Sequence, residues 1–260
     1  MKALDFTYFF SASSEVPETL LVPLYGQVHL TWLAVILVGS LAIALFYRSL
    51  KPHQKTSFKR NFAIFIVVFE LLRQVIYLQL GRYELGLLPL HLCGITELTI
   101  FIYAFTGNKY VKESLYSLGI LGALLALLFA DWLIYPIMHF QFIHSFVAHG
   151  SLFAFVLMLL VSGELRPDAR KLPAVFMGTV LLMVPLYFFN KQFNTNFFFM
   201  NYPSPGSPLV LFEQWVGNPG YIGLTLVLLL IVWFFMYLPF SRAKRRHYKE
   251  AGPLPVRRSS

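Results

Sequence analysis

In the stretch "LPLHLCGITELTI", residues 88–100, His91, Cys93 and Glu97 interrupt an otherwise apolar run. A thiol can accept an acyl group once a base has taken its proton, and imidazole is a common base for that step. Cys93 and Glu97 are four residues apart and share a helical face, whereas His91 and Cys93, two apart, do not face each other. A base for Cys93 therefore has to come from another helix. The segment "FIHSFVAHG" offers His144 and His149. Upstream, Glu70, Arg73, Gln74 and Tyr77 follow the i, i+3, i+4, i+7 spacing of a single polar stripe. Ionisable side chains inside membrane spans usually face one another or a cavity and mark function.

The elements that must hold these groups are membrane helices. The chain has 260 residues, 57% hydrophobic and only 13% charged, where a soluble domain carries about a quarter charged residues. Crossing the hydrocarbon core takes ~20 mostly apolar residues. The apolar runs predict an all-α polytopic bundle of seven spans, at roughly 29–47, 62–80, 87–105, 114–131, 141–161, 172–189 and 220–240. Residues 1–28 then form a segment ahead of the spans and 241–260 a basic tail, with no room for a separate soluble domain. Asp5, Glu15 and Glu18 near the start argue against a cleavable signal peptide. Cys93 is the one cysteine, which excludes an intrachain disulfide.

Charge sets the expected orientation. Of the 21 Lys and Arg residues, all but Lys2, Arg73, Arg82 and Lys191 fall in loops on one side or in the tail. Basic loops stay cytoplasmic, so the amino terminus is expected outside and the carboxyl terminus inside. The formal charge of +9 is then explained by a tail lying on anionic lipid, and nucleic acid is not an expected partner. In the fourth span, Gly119 and Ala123, and Gly122, Ala126 and Ala130, recur at four-residue spacing, which lets helices approach closely.

At 1.5 Å per residue the polar groups fall in one layer of the outer half. Tyr77, His91 and His144 come out about 5 Å deep, Cys93 and Arg73 about 10 Å, and Glu70, Glu97 and His149 about 13–15 Å. Plainer readings stand beside a functional one. Glu70 and Arg73 can neutralise each other, a buried cysteine commonly behaves as a small hydrophobe, and a membrane histidine can bond a backbone carbonyl. Zinc on the histidines is chemically possible, but the spacing matches no familiar cage, and no metal or cofactor is expected. The long segment 190–219 is too rich in polar residues and proline to span, with Pro203, Pro205 and Pro208 opposing a regular helix. Its aromatic residues suit a lid over the outer mouth.

"LPLHLC", "FIHSFVAHG", the Asn201–Tyr202 pair and "YLPF" at 237–240 resemble the YwaF-like integral membrane protein family. That family resembles in turn a eukaryotic transmembrane acyltransferase that places polyunsaturated chains on ether phospholipids. The resemblance implies Cys93 as acyl-accepting nucleophile with a histidine of the fifth span as base. Where the family has Lys-Pro after Asn-Tyr, this chain has Ser207–Pro208. The expectation is lipid acyl-transfer or lipid-ester chemistry at Cys93, His144, His149, His91 and Glu97. Substrate would be held by Arg73, whose guanidinium suits a phosphate, with Glu70, Tyr77, Asn201 and Tyr202. The alternative is a transporter or receptor in the cell membrane that binds a small polar or lipid ligand in the same pocket. His, Glu and Arg suffice for that.

Overall fold

The computed structural model describes residues 6–250, with side chains through residue 240. It is helical, with no strand among the described residues. The main helices are α1 (Gln27–Ser49), α2 (Pro52–Gln79), α3 (Leu92–Thr106), α4 (Lys109–Ser114), α5 (Leu121–Leu128), α6 (Phe140–Val161), α7 (Leu172–Phe193), α8 (Leu209–Val216) and α9 (Gly220–Glu250). A π-helical turn, Leu115–Ile120, joins α4 to α5 into one rod. Six of these rods are long and apolar enough to cross a membrane. The basic tail predicted to lie on anionic lipid falls outside the residues whose side chains are described.

The bundle is built around α6. In its apolar window 61% of residues are buried, against 17% in α1, α2, α7 and α9, so α6 is the core helix and the others turn a broad apolar face outward. α1 runs tightly along it, because at Gly150 a Cβ would sit 3.1 Å from Ile36. The small-residue spacing of the fourth span has the expected use. A Cβ on Gly119 would lie 2.9 Å from Thr96 Cγ2 and one on Gly122 2.9 Å from Leu92 Cδ2, so both glycines let α3 approach. Within the π-turn Trp233 Nε1 donates to the Ser117 carbonyl at 2.8 Å, and Tyr116 donates to the Met236 carbonyl of α9 at 2.9 Å. Replacing Gly119 with leucine is expected to cost about 1–3 kcal/mol by overpacking. Thermal unfolding in detergent should show this, with Gly178→Ala, which meets no neighbour within 4 Å, as the unaffected control.

Two predicted boundaries need correction. The apolar run predicts a third span at 87–105, but α3 begins at Leu92 and has 15 residues, about 22 Å of helix against a core of about 30 Å. Pro89 is the reason. Proline restricts the residue before it to extended backbone, and Leu88 is extended (φ −54°, ψ 142°). The chain then turns so sharply that a Cβ on Gly94 would lie 2.5 Å from the Pro89 carbonyl oxygen. The segment 190–219 likewise contains a helix, since α8 starts directly after Pro208, and proline is tolerated at the first turn. That segment is tied down by its asparagines. Asn190 accepts from Thr195 Oγ1 and from Phe197 N, Asn196 accepts from Asn201 N and Tyr202 N, and Asn201 Nδ2 donates to the carbonyls of Asn190 and Thr195.

The face carrying the basic loops is stapled by two carboxylates that hydropathy does not reveal. Glu164, just beyond α6, accepts from Tyr47 of α1 at 2.6 Å and Tyr103 of α3 at 2.8 Å, and pairs with Lys59 of α2. Glu113 of α4 accepts from Tyr237 of α9 at 2.6 Å and from the Asp168 backbone at 3.0 Å. Burial alone would raise the Glu164 carboxyl, but the hydrogen bonds from Lys59, Tyr47 and Tyr103 outweigh it and hold the group below its ordinary value. A depressed carboxylate stabilises the fold above its unfolded pKa of 4.5, and that stability is lost as pH falls through the folded value. Glu164→Ala is therefore expected to cost about 2–3 kcal/mol at pH 7. The deficit should shrink on acidification below pH 4.5, which melting curves across a pH series will show.

Candidate functional site

Helices α2, α3 and α6 pack against one another, and on the side away from the basic loops they carry the polar groups singled out from the sequence. The α2 stripe closes on itself. Arg73 Nε donates to Glu70 Oε2 at 2.9 Å and Nη2 to Oε1 at 2.5 Å, and Gln74 Nε2 also donates to Glu70 Oε1. Arg73 and Gln74 both donate further to the Leu87 carbonyl, at 3.1 and 2.8 Å. The stretch ahead of α3 is not continuous helix, and irregular backbone at membrane depth needs partners of this kind. Two of the three guanidinium nitrogens of Arg73 are thus committed to Glu70 and Leu87.

Because α3 begins at Leu92, Cys93 is its second residue rather than a mid-span position. Helix N-termini leave their first N–H groups without intrahelical partners. Cys93 is partly buried and lies within electrostatic reach of Arg73 and Glu70. Glu97, one turn below and buried, lies within electrostatic range of Glu70, Arg73, Cys93 and His149. His91 is the N-cap residue of α3. Its ring lies 5.0 Å from Phe197 and 5.6 Å from Phe199, so the asparagine-tied segment rests on it.

The two α6 histidines differ in their surroundings. His144 is buried, stacked on Phe69 at 4.6 Å, with Nε2 3.7 Å from Glu70 Oε2, too long for a hydrogen bond. His149 Nδ1 lies 2.8 Å from the Ser145 carbonyl oxygen. A carbonyl only accepts, so Nδ1 carries the hydrogen and Nε2 keeps the lone pair of a base. The His149 ring stacks on Trp132 at 4.8 Å. His29 and His139 show the opposite tautomer. Each accepts a backbone N–H at Nδ1 and donates from Nε2 to a carbonyl, His29 to Leu127 and His139 to Ser11, and both serve the fold.

Of the predicted substrate contacts, Tyr77 donates to Gln141 Oε1 at 3.1 Å. The Asn201 amide nitrogen is used by backbone carbonyls within its own segment, and the Tyr202 side chain is exposed. Among the described residues no three His, Cys, Asp or Glu side chains come together as a metal site. Sequence reading missed Gln141, Ser145 and Trp132. Gln141 donates to Ser145 Oγ at 3.1 Å, so 141, 145 and 149 form an i, i+4, i+8 polar stripe on α6. That spacing was available in the sequence but masked by the phenylalanines between.

An all-helical bundle of six long apolar rods, one of them central, defines a multi-pass membrane protein. Residues 24–237 match the TMEM164 family, and the chain belongs to that family. No curated protein and no solved structure gives a significant match.

Proposed function

We propose that this protein is a thiol-dependent lipid acyl-transfer enzyme of the cell membrane, with its polar chamber toward the outer leaflet. The observation that carries the reading is the setting of Cys93: a thiol at the first turn of α3, one turn from a buried Glu97 that interacts electrostatically with both Cys93 and His149, with Nε2 of His149 free of hydrogen. The resemblance to the YwaF-like family, and through it to the ether-phospholipid acyltransferase, points the same way.

In the proposed cycle His149 Nε2 takes the thiol proton and the Cys93 sulfur attacks the ester carbonyl of a phospholipid. The carbon–oxygen bond of the ester breaks, the departing lysolipid oxygen takes the proton from His149, and the acyl chain remains as a thioester. An acceptor hydroxyl then gives its proton to His149 and attacks the thioester, which releases the new ester and restores the thiol. The N–H groups opening α3 would meet negative charge on the reacting oxygen. Glu97 stabilises the imidazolium, and the Glu70–Arg73–Gln74 unit holds the unwound backbone ahead of α3.

The rival reading, a transporter binding a ligand in the same chamber, requires the opposite face to open in turn. Two carboxylate staples joining α1, α2, α3, α4 and α9 there favour a chamber that opens to one side. An alkyl chain bearing a thiol-reactive electrophile tests the reading: it should label Cys93 of the purified protein, and His149→Gln should slow labelling at least about tenfold. Labelling at equal rates in wild type and His149→Gln would remove the assigned base.

A further inference from the structure

Helix α7 starts beside Arg170 and Lys171 of a basic loop and ends at Phe193, and α9 starts at Gly220. The segment joining them therefore lies at the end of the bundle away from the basic loops. Within it, α8 carries its polarity the wrong way round for a helix resting on a protein in water. Leu211, Trp215 and Val216 are 50%, 68% and 49% exposed. The acidic Glu213 is half-buried and within electrostatic range of Tyr221 of α9. A surface helix in water does the opposite and turns its apolar stripe to the core. Leu211 and Trp215, four residues apart, share one face. We propose that α8 is an interfacial anchor lying flat along the bilayer. Its Leu211–Trp215–Val216 face sinks to the boundary between headgroups and acyl chains in the leaflet opposite the basic loops.

Three observations make the occupant of that face lipid rather than protein. The first is position. α8 packs against α9, whose outward side chains Val227, Leu230, Ile231 and Phe234 belong to the apolar surface of the membrane rods. The second is size. Eight residues make about 12 Å of helix, too short for a core of about 30 Å and too small for the ~800 Å² per partner of a stable protein interface. The third is composition. Tryptophan favours the headgroup level, and no Lys or Arg occurs between Lys191 and Arg242, so apolar partition rather than attraction to anionic lipid sets the depth. Pro208 before the helix and Gly217 after it, at φ 68°, break it off from its neighbours and let its axis turn away from theirs. The anchor also reaches the polar chamber. Just past α8, Asn218 Nδ2 donates to the Asn201 carbonyl and Tyr221 to the Phe199 carbonyl, while Phe197 and Phe199 rest on His91. The depth of α8 in the bilayer therefore sets where the cover over His91 sits. The anchor does not depend on acyl transfer.

Tryptophan fluorescence of the purified full-length protein in phosphatidylcholine nanodiscs tests the anchor. Trp132 and Trp233 are buried and Trp32 is half-buried, and subtracting the signal of Trp215→Phe isolates Trp215. Lipid brominated near the headgroup end of its acyl chains is expected to quench that difference signal about twofold, and more than lipid brominated near the chain ends. Aqueous iodide should quench it by less than about a quarter. In Leu211→Asn/Val216→Asn, which changes only outward side chains, iodide quenching should rise about threefold while the melting temperature stays near wild type. Strong iodide quenching of wild type without quenching by either lipid would place α8 in water and overturn the proposal. Stronger quenching by the deep label would overturn it too, by sinking the helix into the hydrocarbon. A signal that neither lipid nor iodide reaches would put a protein partner on the face, which also overturns it.

Discussion

Cells carrying Cys93→Ala in place of the wild-type protein are expected to show the phospholipid acyl profile of cells that lack the protein altogether. In purified form the variant should lose acyl exchange by about a thousandfold or more, since removing a covalent nucleophile removes the intermediate itself. The substitution is mild for the fold, because Cys93 makes only a partly buried contact at the edge of the core. Expression and melting temperature should stay near wild type, so that loss of activity is not loss of protein. Cys93→Ser should be nearly as inactive, as a hydroxyl in the same place is a far weaker nucleophile than a thiol. Lipid turnover that survives both variants would return Cys93 to the role of a small apolar side chain.

The second large effect concerns the choice between two histidines. His149→Gln is expected to lower acyl transfer by about 10²–10⁴-fold, the usual contribution of a positioned base. The reason is specific to its hydrogen bond: Nδ1 is tied to the Ser145 carbonyl, which leaves Nε2 as the acceptor. His144→Gln should cost less than tenfold in rate but lower stability, because His144 is packed between Phe69 and Phe140 and faces Glu70. Single-turnover rates and melting temperatures of both variants check this. If His144→Gln is the slower enzyme at equal stability, the assignments are reversed.

How much of this was legible in the sequence follows from which physical signal each feature leaves. Apolar runs and Lys/Arg placement reveal helices and loops, so the bundle and most of its rods were readable. The polar stripe Glu70–Arg73–Gln74 was readable too, because helical periodicity alone puts those three side chains within reach of each other. The start of α3 leaves no mark in hydropathy, although Pro89 bears on it. Hydropathy measures the solvent a segment prefers and is blind to whether its backbone is coiled or extended. That single misplacement put Cys93 inside a span rather than at a helix terminus. Tautomers lay out of reach as well, since they depend on a carbonyl one turn away in three dimensions. Glu113 and Glu164 lie at the ends of apolar runs, where nothing in the local pattern marks them. Their partners Tyr47, Tyr103 and Tyr237 come from other helices, and no spacing rule connects them.

The most direct measurement is the mass of the peptide containing Cys93 after the purified protein is mixed with a phospholipid of defined acyl chain and quenched in acid. A mass increase equal to that acyl group is expected on Cys93, removed by hydroxylamine and absent from Cys93→Ala. Acyl exchange that proceeds while Cys93 stays unmodified at every quench time would contradict it.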